Sequence, residues 1–340
     1  MDSLPKKYKA VVLDKANAFF TLRDLELKHP SAHQVLVKVL ACGVCFSDLS
    51  TASGDMGNIF PRIPGHEIIG DIVEVGEGVS HLKNGDRVGG PWHGGHDGLC
   101  GQCQRGQFQL CDNHEINGVT RDGGFAEYVL LCAEAVARVP RGLDPALAAP
   151  LLCAGVTVFN GIRKLHVEQG GLVAVQGLGG LGHLAVQYAK NMGYEVAVLS
   201  SGDHKAAFAK ELGADHYINT RTSDSAVELM NLGGAAIIVQ TAPNPKAIGG
   251  LIKGLTAHGK LLSLAPVGPV EFDTTILVGK AASVSGWPSG HALDCEEAIR
   301  FAIQHNIKCM VEKYPLVDVQ RAVDSLLAGK ARFRNVLVMQ

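Results

Sequence analysis

A glycine-rich turn between an apolar segment and a helix-compatible segment constrains this chain more than any other feature. Residues 172–176 (LVAVQ) lead into GLGGLG at 177–182, and a segment able to form a helix follows at 183–190. Strand, GxGxxG turn and helix in this order are the context in which such a turn binds a dinucleotide. The glycines allow a tight turn, close backbone approach to a pyrophosphate, and close packing of helix on strand. We therefore assign the phosphate-binding turn to Gly177, Gly179, Gly180 and Gly182.

Apolar strand-like segments alternate with helix-like segments around this turn. From about residue 151, the pattern predicts strands at 172–175, 195–199, 236–239 and 260–264, and helices at 180–192 and 204–213. Strands separated by helices of about ten residues imply right-handed crossovers and a parallel sheet. The sequence therefore predicts a doubly wound α/β domain.

The first 150 residues have a different pattern. Valines recur at every second position from 35 to 39, and the segment DIVEV at 71–75 ends at a glycine, which is typical of a β-rich, barrel-like domain. Near the C-terminus, helical segments at 294–304 and 318–328 precede a final strand at 335–339, which we expect to return to the β-rich domain. We predict one domain of residues 1–152 and 287–340 and a second of residues 153–286.

Composition excludes several classes of protein. The 340 residues suffice for two domains at the usual ~100 to 200 residues each, and 46% hydrophobic residues exclude a disordered chain. Because 31 basic residues face 33 acidic ones, we expect no nucleic-acid partner. Without a signal-like apolar start or an uninterrupted apolar span, we expect a cytoplasmic protein with no membrane partner. Nine cysteines, an odd number, favour metal or thiol chemistry over a disulfide framework.

The end of the second predicted strand bears on the choice of dinucleotide. An NAD site usually has Asp or Glu there, about 20 residues after the first glycine, to accept hydrogen bonds from the ribose. This chain has Ser200, Ser201 and Lys205 instead, and hydroxyl and ammonium groups suit a 2'-phosphate. We predict NADP(H) in preference to NAD(H). Asp203 keeps the alternative open, because a shifted loop would bring its carboxylate to the ribose.

A cysteine-rich loop at residues 91–113 contains too few apolar residues to form a core of its own. Its cysteines follow the spacing C-x2-C-x7-C, and an aspartate stands three residues before the first of them. Three thiolates and a carboxylate provide the four ligands, of suitable donor type, that a tetrahedral structural zinc ion needs. The predicted ligands are Asp97, Cys100, Cys103 and Cys111, with His93, His96 and His114 as alternatives to Asp97.

A second set of potential ligands is scattered along the chain. It comprises the segments CGVCFSD at 42–48, PGHE at 64–67 and LCAGVT at 152–157. The last segment lies where the β-rich half meets the nucleotide-binding half, and a metal there could face a nicotinamide. Two cysteines and one histidine with an open fourth position are a known arrangement of catalytic zinc.

These motifs occur in the order found in zinc-dependent medium-chain alcohol dehydrogenases, which the sequence resembles over essentially its whole length. The cinnamyl alcohol dehydrogenase-like and yeast-type branches are the most similar. The resemblance implies a GroES-like catalytic domain, a Rossmann domain carrying the cofactor, two zinc ions per subunit, and reversible oxidation of a small-molecule alcohol to an aldehyde or ketone.

The resemblance also implies roles for individual residues. The catalytic zinc ligands would be Cys45, His66 and Cys153. Glu67 matches a carboxylate near the metal. Asp48 matches the residue that orients His66, and Ser47 matches the residue whose hydroxyl takes the alcohol proton. The remaining matches are Thr157 and Leu181 beside the nicotinamide, Arg334 as a pyrophosphate contact, and Trp92 as a substrate-pocket aromatic.

Four positions depart from the pattern of relatives. Phe46 stands where His or Arg often touches the pyrophosphate, and Ser50 where many relatives have the last His of the proton relay. Asp97 replaces the first cysteine of the structural site. Ala52 stands where yeast-type enzymes have Trp, which predicts a roomier substrate pocket.

The sequence leaves two alternative functions open, and it also predicts an oligomeric state. A medium-chain reductase of activated C=C bonds is the alternative enzyme, although such proteins often lack zinc ligands that this chain has. A recruited binding or structural protein is the non-catalytic alternative. The segment at 278–287 is interpreted as the last strand of the α/β domain, and its apolar edge predicts a homo-oligomer, a dimer or tetramer.

Overall fold

The computed structural model describes residues 4–57 and 59–339 of the chain. These residues divide into two compact units. The first comprises the described parts of Met1–Val156, Ser289–Arg300 and Lys308–Gln340, and the second comprises Thr157–Pro288 and Phe301–Ile307. The predicted domain limits at 152/153 and 286/287 stay predictions.

The strands, in chain order, are β1 (Lys7–Val12), β2 (Thr21–Glu26), β3 (Gln34–Val44), β4 (Ile68–Val75), β5 (Arg87–Gly90), β6 (His93–Gly95), β7 (Glu115–Ile116), β8 (Tyr128–Cys132), β9 (Ala137–Arg138), β10 (Leu172–Gln176), β11 (Glu195–Ser200), β12 (His216–Asn219), β13 (Ala235–Gln240), β14 (Leu255–Ser263), β15 (Ser283–Gly286), β16 (Val311–Pro315) and β17 (Arg334–Val338).

The α-helices are α1 (Phe46–Ser53), α2 (Pro145–Ala148), α3 (Ala154–Arg163), α4 (Gly182–Asn191), α5 (Ala206–Glu211), α6 (Ser225–Asn231), α7 (Thr274–Lys280), α8 (Ala292–Gln304) and α9 (Val319–Leu327). Within the described ranges, no single helix has the length and apolar composition needed to cross a bilayer. The pair Pro145–Leu152 and Ala154–Arg163, bent by 47°, passes that test of length and composition when taken together.

In the first unit, strand β3 is the centre of a seven-stranded sheet. The strand order is β16-β17-β3-β4-β5-β9, with β8 also paired to β3. On one side of β3, Gln34–Lys38 pairs with β8 and Ala41–Val44 pairs with β17, both antiparallel. The predicted return of the final strand to the β-rich domain is therefore confirmed. The alternate valines that indicated this strand, at positions 35, 37 and 39, are fully buried in the core.

In the second unit, six parallel strands form one sheet in the order β12-β11-β10-β13-β14-β15. The chain leaves β10 toward β11 and later returns to its other side at β13, so the strand order reverses at β10. In open parallel sheets, ligands bind outside the carboxyl ends of the strands at such a point. The predicted doubly wound α/β architecture is confirmed, and the glycine turn follows the strand at the reversal.

The last strand of this sheet differs from the prediction. Residues 278–280 belong to α7, and β15 begins only at Ser283, so the interpretation of 278–287 as strand and turn is wrong in its first part. The helix begins where the side chain of Asp273 accepts a hydrogen bond from the Thr275 amide, and it ends at Ala281 in a left-handed conformation with φ of 48°. A short apolar run fits a helix or a strand equally well, and a non-glycine residue at the helix end gives little signal.

Candidate functional site

Four side chains from separate parts of the sequence meet in the first unit. Cys45 lies between β3 and α1, His66 and Glu67 precede β4, and Cys153 lies just before α3. Each offers a ligand atom, and these atoms lie within 4.8 Å of one another. The first three residues are buried and Cys153 is half-buried. The structure therefore brings together the three predicted catalytic ligands and the predicted nearby carboxylate.

Asp48 organises this cluster through three hydrogen bonds. Its Oδ2 accepts from the Cys45 amide at 2.8 Å, and its Oδ1 accepts from the Gly65 amide at 3.1 Å. The same Oδ1 lies 3.0 Å from His66 Nδ1. With Nδ1 directed at Asp48, His66 Nε2 is buried and has no hydrogen-bond partner. A buried ring nitrogen without a hydrogen-bond partner, next to two sulfur atoms, is suited to bind zinc. A carboxylate on the other ring nitrogen is the usual partner of a zinc-bound histidine.

Neighbouring groups, Cys153 first among them, favour ionisation of Cys45 in this cluster. The hydrogen bond from Cys153 lowers the pKa of Cys45 well below its usual value, although burial opposes the shift. That same bond and burial raise the pKa of Cys153 well above its usual value, so it is the group that keeps the proton. At His66, burial acts to lower the pKa, but the charge and hydrogen bond of Asp48 outweigh it and raise the pKa.

Glu67 and Arg334 form a buried ion pair at the edge of the cluster, in which the guanidinium donates to Oε1. Burial raises the pKa of Glu67 to about 7, against the charge of Arg334. Oε2 of the same carboxylate is buried without a hydrogen-bond partner. A Cβ atom added at Gly43 would lie 1.8 Å from this oxygen, so only glycine leaves room for the carboxylate here. Sequence reasoning missed Gly43, because no local pattern marks that close approach.

The other predicted residues of this region lie on α1 or next to His66. Ser47 Oγ is 3.9 Å from the Cys45 sulfur, and the ring of Trp92 meets the His66 ring edge-on with centroids 4.8 Å apart. Ala52 is buried, whereas Phe46 has 56% of its surface exposed. Ser50 is half-buried on the same helix.

A second cluster lies in the loop between β6 and β7. Asp97, Cys100, Cys103 and Cys111 offer ligand atoms within 4.8 Å of one another. Backbone amides donate hydrogen bonds to two of the sulfurs. Cys103 N donates to Cys100 Sγ at 3.5 Å, and Asn113 N donates to Cys111 Sγ at 3.3 Å. Such hydrogen bonds to sulfur help to lower the pKa of Cys100. The four predicted structural ligands are thus gathered at one point.

Asp97 is held in this loop by several donors. Its Oδ1 accepts from the amides of Leu99 at 2.8 Å and Cys100 at 3.2 Å, and its Oδ2 accepts from Asn113 Nδ2 at 2.7 Å. These hydrogen bonds, that of Asn113 first, lower the pKa of Asp97. Asn113 is a further residue that sequence reasoning missed, since an amide in a polar loop gives no signal of its own.

The three histidines considered as alternatives to Asp97 are not in this group of ligands. His93 and His96 stack with ring centroids 5.1 Å apart, and His114 Nδ1 lies 2.8 Å from the carbonyl oxygen of Cys111. Burial and the neighbouring His96 lower the pKa of His93 to about 3. A histidine whose pKa lies this far below the usual value is neutral at physiological pH.

In the second unit, the glycine turn has the local geometry that its assigned roles require. Gly177 has φ of 96°, and a Cβ at Gly182 would lie 2.0 Å from the Gly177 carbonyl oxygen. A Cβ at Gly179 would meet nothing within 4 Å, so the backbone is open where a phosphate would approach. Gly180 lies between them, Leu181 is half-buried immediately before α4, and Thr157 is buried in α3.

The loop after β11 carries the predicted adenosine-ribose residues. Ser200 ends β11 and is buried, while Ser201 and Lys205 are half-buried. Asp203, the carboxylate that left the NAD alternative open, accepts a hydrogen bond from Asn219 Nδ2 at 2.8 Å. Asn219 was not predicted, because it ends a different strand, β12, and becomes a neighbour only through the parallel pairing of β11 with β12.

Two protein families match this chain. Residues 31–141 match the family described as "Alcohol dehydrogenase GroES-like domain", and residues 180–304 match "Zinc-binding dehydrogenase". Among characterised relatives, alcohol dehydrogenase patD from Penicillium expansum is 50% identical over 98% of each chain. Together, these matches span most of the sequence.

Solved structures with the same fold include proteins bound to either dinucleotide. CAD from Helicobacter pylori, complexed with NADP(H), has a TM-score of 0.86 and 29% identity over 98% of each chain. Acetophenone reductase from Geotrichum candidum, in complex with NAD, has a TM-score of 0.86 and 26% identity over 99% of this chain and 98% of that one.

Proposed function

The chain belongs to the zinc-dependent medium-chain alcohol dehydrogenase family, and we propose that it interconverts a small-molecule alcohol and its aldehyde or ketone with NADP(H). The observation that carries this proposal is the cluster of Cys45, His66 and Cys153 with its unpartnered His66 nitrogen. We further propose residues 1–152 and 287–340 as the catalytic domain and 153–286 as the cofactor domain.

The donor set of the buried cluster fits zinc. Two sulfur atoms and an imidazole nitrogen are ligands that zinc prefers, and three protein ligands leave a position for substrate. In that position the metal supplies Lewis-acid polarisation of the substrate oxygen, and a bound nicotinamide supplies the hydride acceptor or donor. Asp48 orients His66 for this role, as outer carboxylates commonly do for metal-bound histidines.

Ser47 is the proposed proton acceptor for alcohol oxidation. Its hydroxyl oxygen lies 3.9 Å from the Cys45 sulfur, so it would be close to a substrate oxygen held at a metal by that ligand. A hydroxyl can accept one proton while it donates its own, so Ser47 passes the proton outward without holding a charge. Ser50 lies on the same helix, about one turn further along, in the place where many relatives have a histidine. The proposed relay therefore does not end at the histidine that many relatives have at this position.

Glu67 and Arg334 set the charge around this cluster. The guanidinium offsets one negative charge among the sulfurs and the carboxylate, which a buried site otherwise could not hold. We propose that Glu67 approaches the metal through its free Oε2. Arg334 has a guanidinium nitrogen already committed to Glu67, so a pyrophosphate contact would use the remaining nitrogens.

The loop cluster is proposed as a structural zinc site. Three sulfurs and one carboxylate would supply all four ligands of a tetrahedral zinc ion, and such a site would leave no position for substrate. The loop has few apolar side chains of its own, so a metal would supply its cohesion. We therefore propose two zinc ions per subunit, one in each cluster.

NADP(H) is proposed over NAD(H) from the loop after β11. Ser200, Ser201 and Lys205 offer two hydroxyls and an ammonium group to a 2'-phosphate. In a reducing cytoplasm, where we place the protein, NADPH would favour carbonyl reduction as the physiological direction. Comparing turnover in both directions at cellular cofactor ratios tests this, and net oxidation would contradict it.

Ser200→Asp tests the cofactor proposal. The new carboxylate repels a 2'-phosphate and removes a hydrogen bond, so we expect kcat/KM with NADPH to fall by roughly tenfold to a hundredfold relative to NADH. A wild type that already prefers NADH, or an unchanged ratio, would reject the NADP(H) preference.

Zinc analysis combined with a panel of alcohols and aldehydes tests the function itself. We expect two zinc ions per chain and hydride transfer to aldehydes. Turnover of alkenals without bound zinc would instead support a reductase of activated C=C bonds. Absence of hydride transfer across the panel would support a non-catalytic protein.

The chain is also proposed to form a homo-oligomer. Strand β15 lies at the edge of its sheet, and Val278 on the preceding helix has 82% of its surface exposed. An unpaired strand edge with apolar neighbours favours pairing with a second copy. A single-chain mass of 35.9 kDa in light scattering would reject this.

A further inference from the structure

One side-chain amide joins the loop after β11 to the end of β12. Asn219 Oδ1 accepts hydrogen bonds from the amides of Gly202 and Arg221, each at 3.1 Å. Asn219 Nδ2 donates to Asp203 Oδ1 at 2.8 Å. The two ends of the amide are not interchangeable here, because the oxygen faces two N–H donors and the nitrogen faces a carboxylate.

The bond to Asp203 acts on the only carboxylate among residues 200–205. A free carboxylate at this point of a nucleotide-binding fold can accept hydrogen bonds from the ribose, and it repels a phosphate on the 2'-oxygen. The Asn219 amide engages one of its two oxygens and directs the carboxylate toward β12. One oxygen of the only carboxylate in this segment is thus already engaged by the amide at the end of β12.

We propose that Asn219 is the positioning residue that determines the choice of dinucleotide, because it restrains the Asp203 carboxylate and leaves the loop free to accept a 2'-phosphate. This inference rests on the NADP(H) preference proposed above. It assigns the discrimination between the dinucleotides to a residue at the end of β12 and a residue in the loop after β11, in addition to the residues that would touch the phosphate.

Asn219→Ala also removes the hydrogen bonds to the Gly202 and Arg221 amides, but the loop has other supports. The Tyr217 hydroxyl donates to the Gly202 carbonyl oxygen at 2.6 Å. Gly202 has φ of 87°, a conformation that its own backbone adopts without cost. In an Asn219→Ala variant, we therefore expect the loop to stay near its position while Asp203 becomes free to turn.

The experiment compares Asn219→Ala, Asp203→Ala and the double variant in the full-length enzyme. Dissociation constants for NADPH and NADH are measured by nucleotide fluorescence, together with kcat and KM for each. Asn219→Ala is expected to weaken NADPH binding by about tenfold or more, the size of one charge-assisted interaction, and to change NADH binding much less. The effect should fall on KM for NADPH, with kcat retained. In the double variant, NADPH binding should return to within about threefold of Asp203→Ala.

Asn191→Ala is the matched control, since it removes an amide that donates to a backbone carbonyl, that of Gln187 at 2.9 Å, on a different element. It should leave both dissociation constants unchanged. Equal loss of both dinucleotides in Asn219→Ala, or failure of Asp203→Ala to rescue it, would reduce Asn219 to a structural role and overturn the inference. A wild type that prefers NADH would reject the proposed NADP(H) preference alone. The role of Asn219 would still be tested by the change in the ratio of the NADPH and NADH dissociation constants in Asn219→Ala, and by the reversal of that change in the double variant.

Discussion

The buried cluster and the loop cluster each bring four potential ligands within 4.8 Å of one another, but they do so in different ways. The buried cluster takes its residues from just after β3, just before β4 and just before α3. The loop cluster takes all four from the single segment 97–111. In the first case a folded sheet positions the ligands, whereas in the second the ligands lie in a loop with little other structure.

This difference separates two uses of a metal. A site built on a sheet and a packed core can persist without its ion, and the ion then adds reactivity. A loop that has little apolar surface gains its folding energy from the ion. Local hydrogen bonding agrees with this division: Asp48 leaves one His66 nitrogen free in the buried cluster, whereas in the loop the backbone amides already serve the sulfurs and the carboxylate.

The largest effect should come from Cys45→Ser or Cys153→Ser. Loss of one ligand removes the polarisation of the substrate oxygen, so we expect kcat/KM to fall by at least about a thousandfold. The melting temperature and NADPH binding should remain close to wild type. Cys295→Ala, a buried cysteine outside both clusters, serves as the control. Activity near wild type in either serine variant would remove the catalytic assignment.

Cys100→Ser should affect stability instead. We expect one zinc ion per chain to be lost and the melting temperature to fall by roughly 5 °C or more, because the loop would lose its main source of cohesion. Leu99→Ala alters an exposed neighbour in the same loop and should change neither quantity. If Cys100→Ser melts like the wild type with its full zinc content, the contrast between the clusters is wrong.

Gly43→Ala sharpens the comparison on the buried side. The added methyl group occupies the position of Glu67 Oε2, so the carboxylate must move and its ion pair with Arg334 must rearrange. We expect kcat/KM to fall by about tenfold or more with zinc content retained. Gly142→Ala, where a Cβ would meet nothing within 4 Å, is the control. Unchanged kinetics in Gly43→Ala would mean that the position of Glu67 is unimportant.

Asn113→Ala should give the smallest effect. Without its amide, Asp97 loses the donor to Oδ2 and becomes a less well oriented ligand. We expect the loop zinc to be released to a chelator roughly tenfold faster, with turnover unchanged over the same period. Gln104→Ala removes another loop amide, one that donates to the Gly98 carbonyl, and should not alter release. Equal rates for both variants would show that Asn113 does not orient the ligand.

The parts of the fold and site that could be predicted were those with a local or periodic signal. Alternating valines indicated β3, and strand–turn–helix order indicated β10, the glycine turn and α4. Cysteine spacing and resemblance to relatives pointed to both groups of ligands before any geometry was available. Each of these signals lies within a short stretch of sequence or recurs in a known order.

The residues that were missed act across the fold. Gly43 is required because β3 passes next to the Glu67 carboxylate, and Asn219 reaches Asp203 because β12 lies beside β11. Sequence separation hides both contacts until the strands are paired. The error at residues 278–280 has a different origin, since the apolar run there suits either a helix or a strand and only tertiary packing decides.

The place of β17 between β16 and β3 affects how the polypeptide folds during synthesis. Residues 157–288 emerge from the ribosome as one stretch containing all six parallel strands. The Ala41–Val44 half of β3, made much earlier, must keep its hydrogen-bonding edge unpaired until residues 334–338 have been translated. Nascent chains with exposed strand edges are prone to aggregate, so this edge is where a chaperone would be needed. On ribosomes stalled at about residue 330, we expect proteases to cut the N-terminal portion while the parallel sheet resists them.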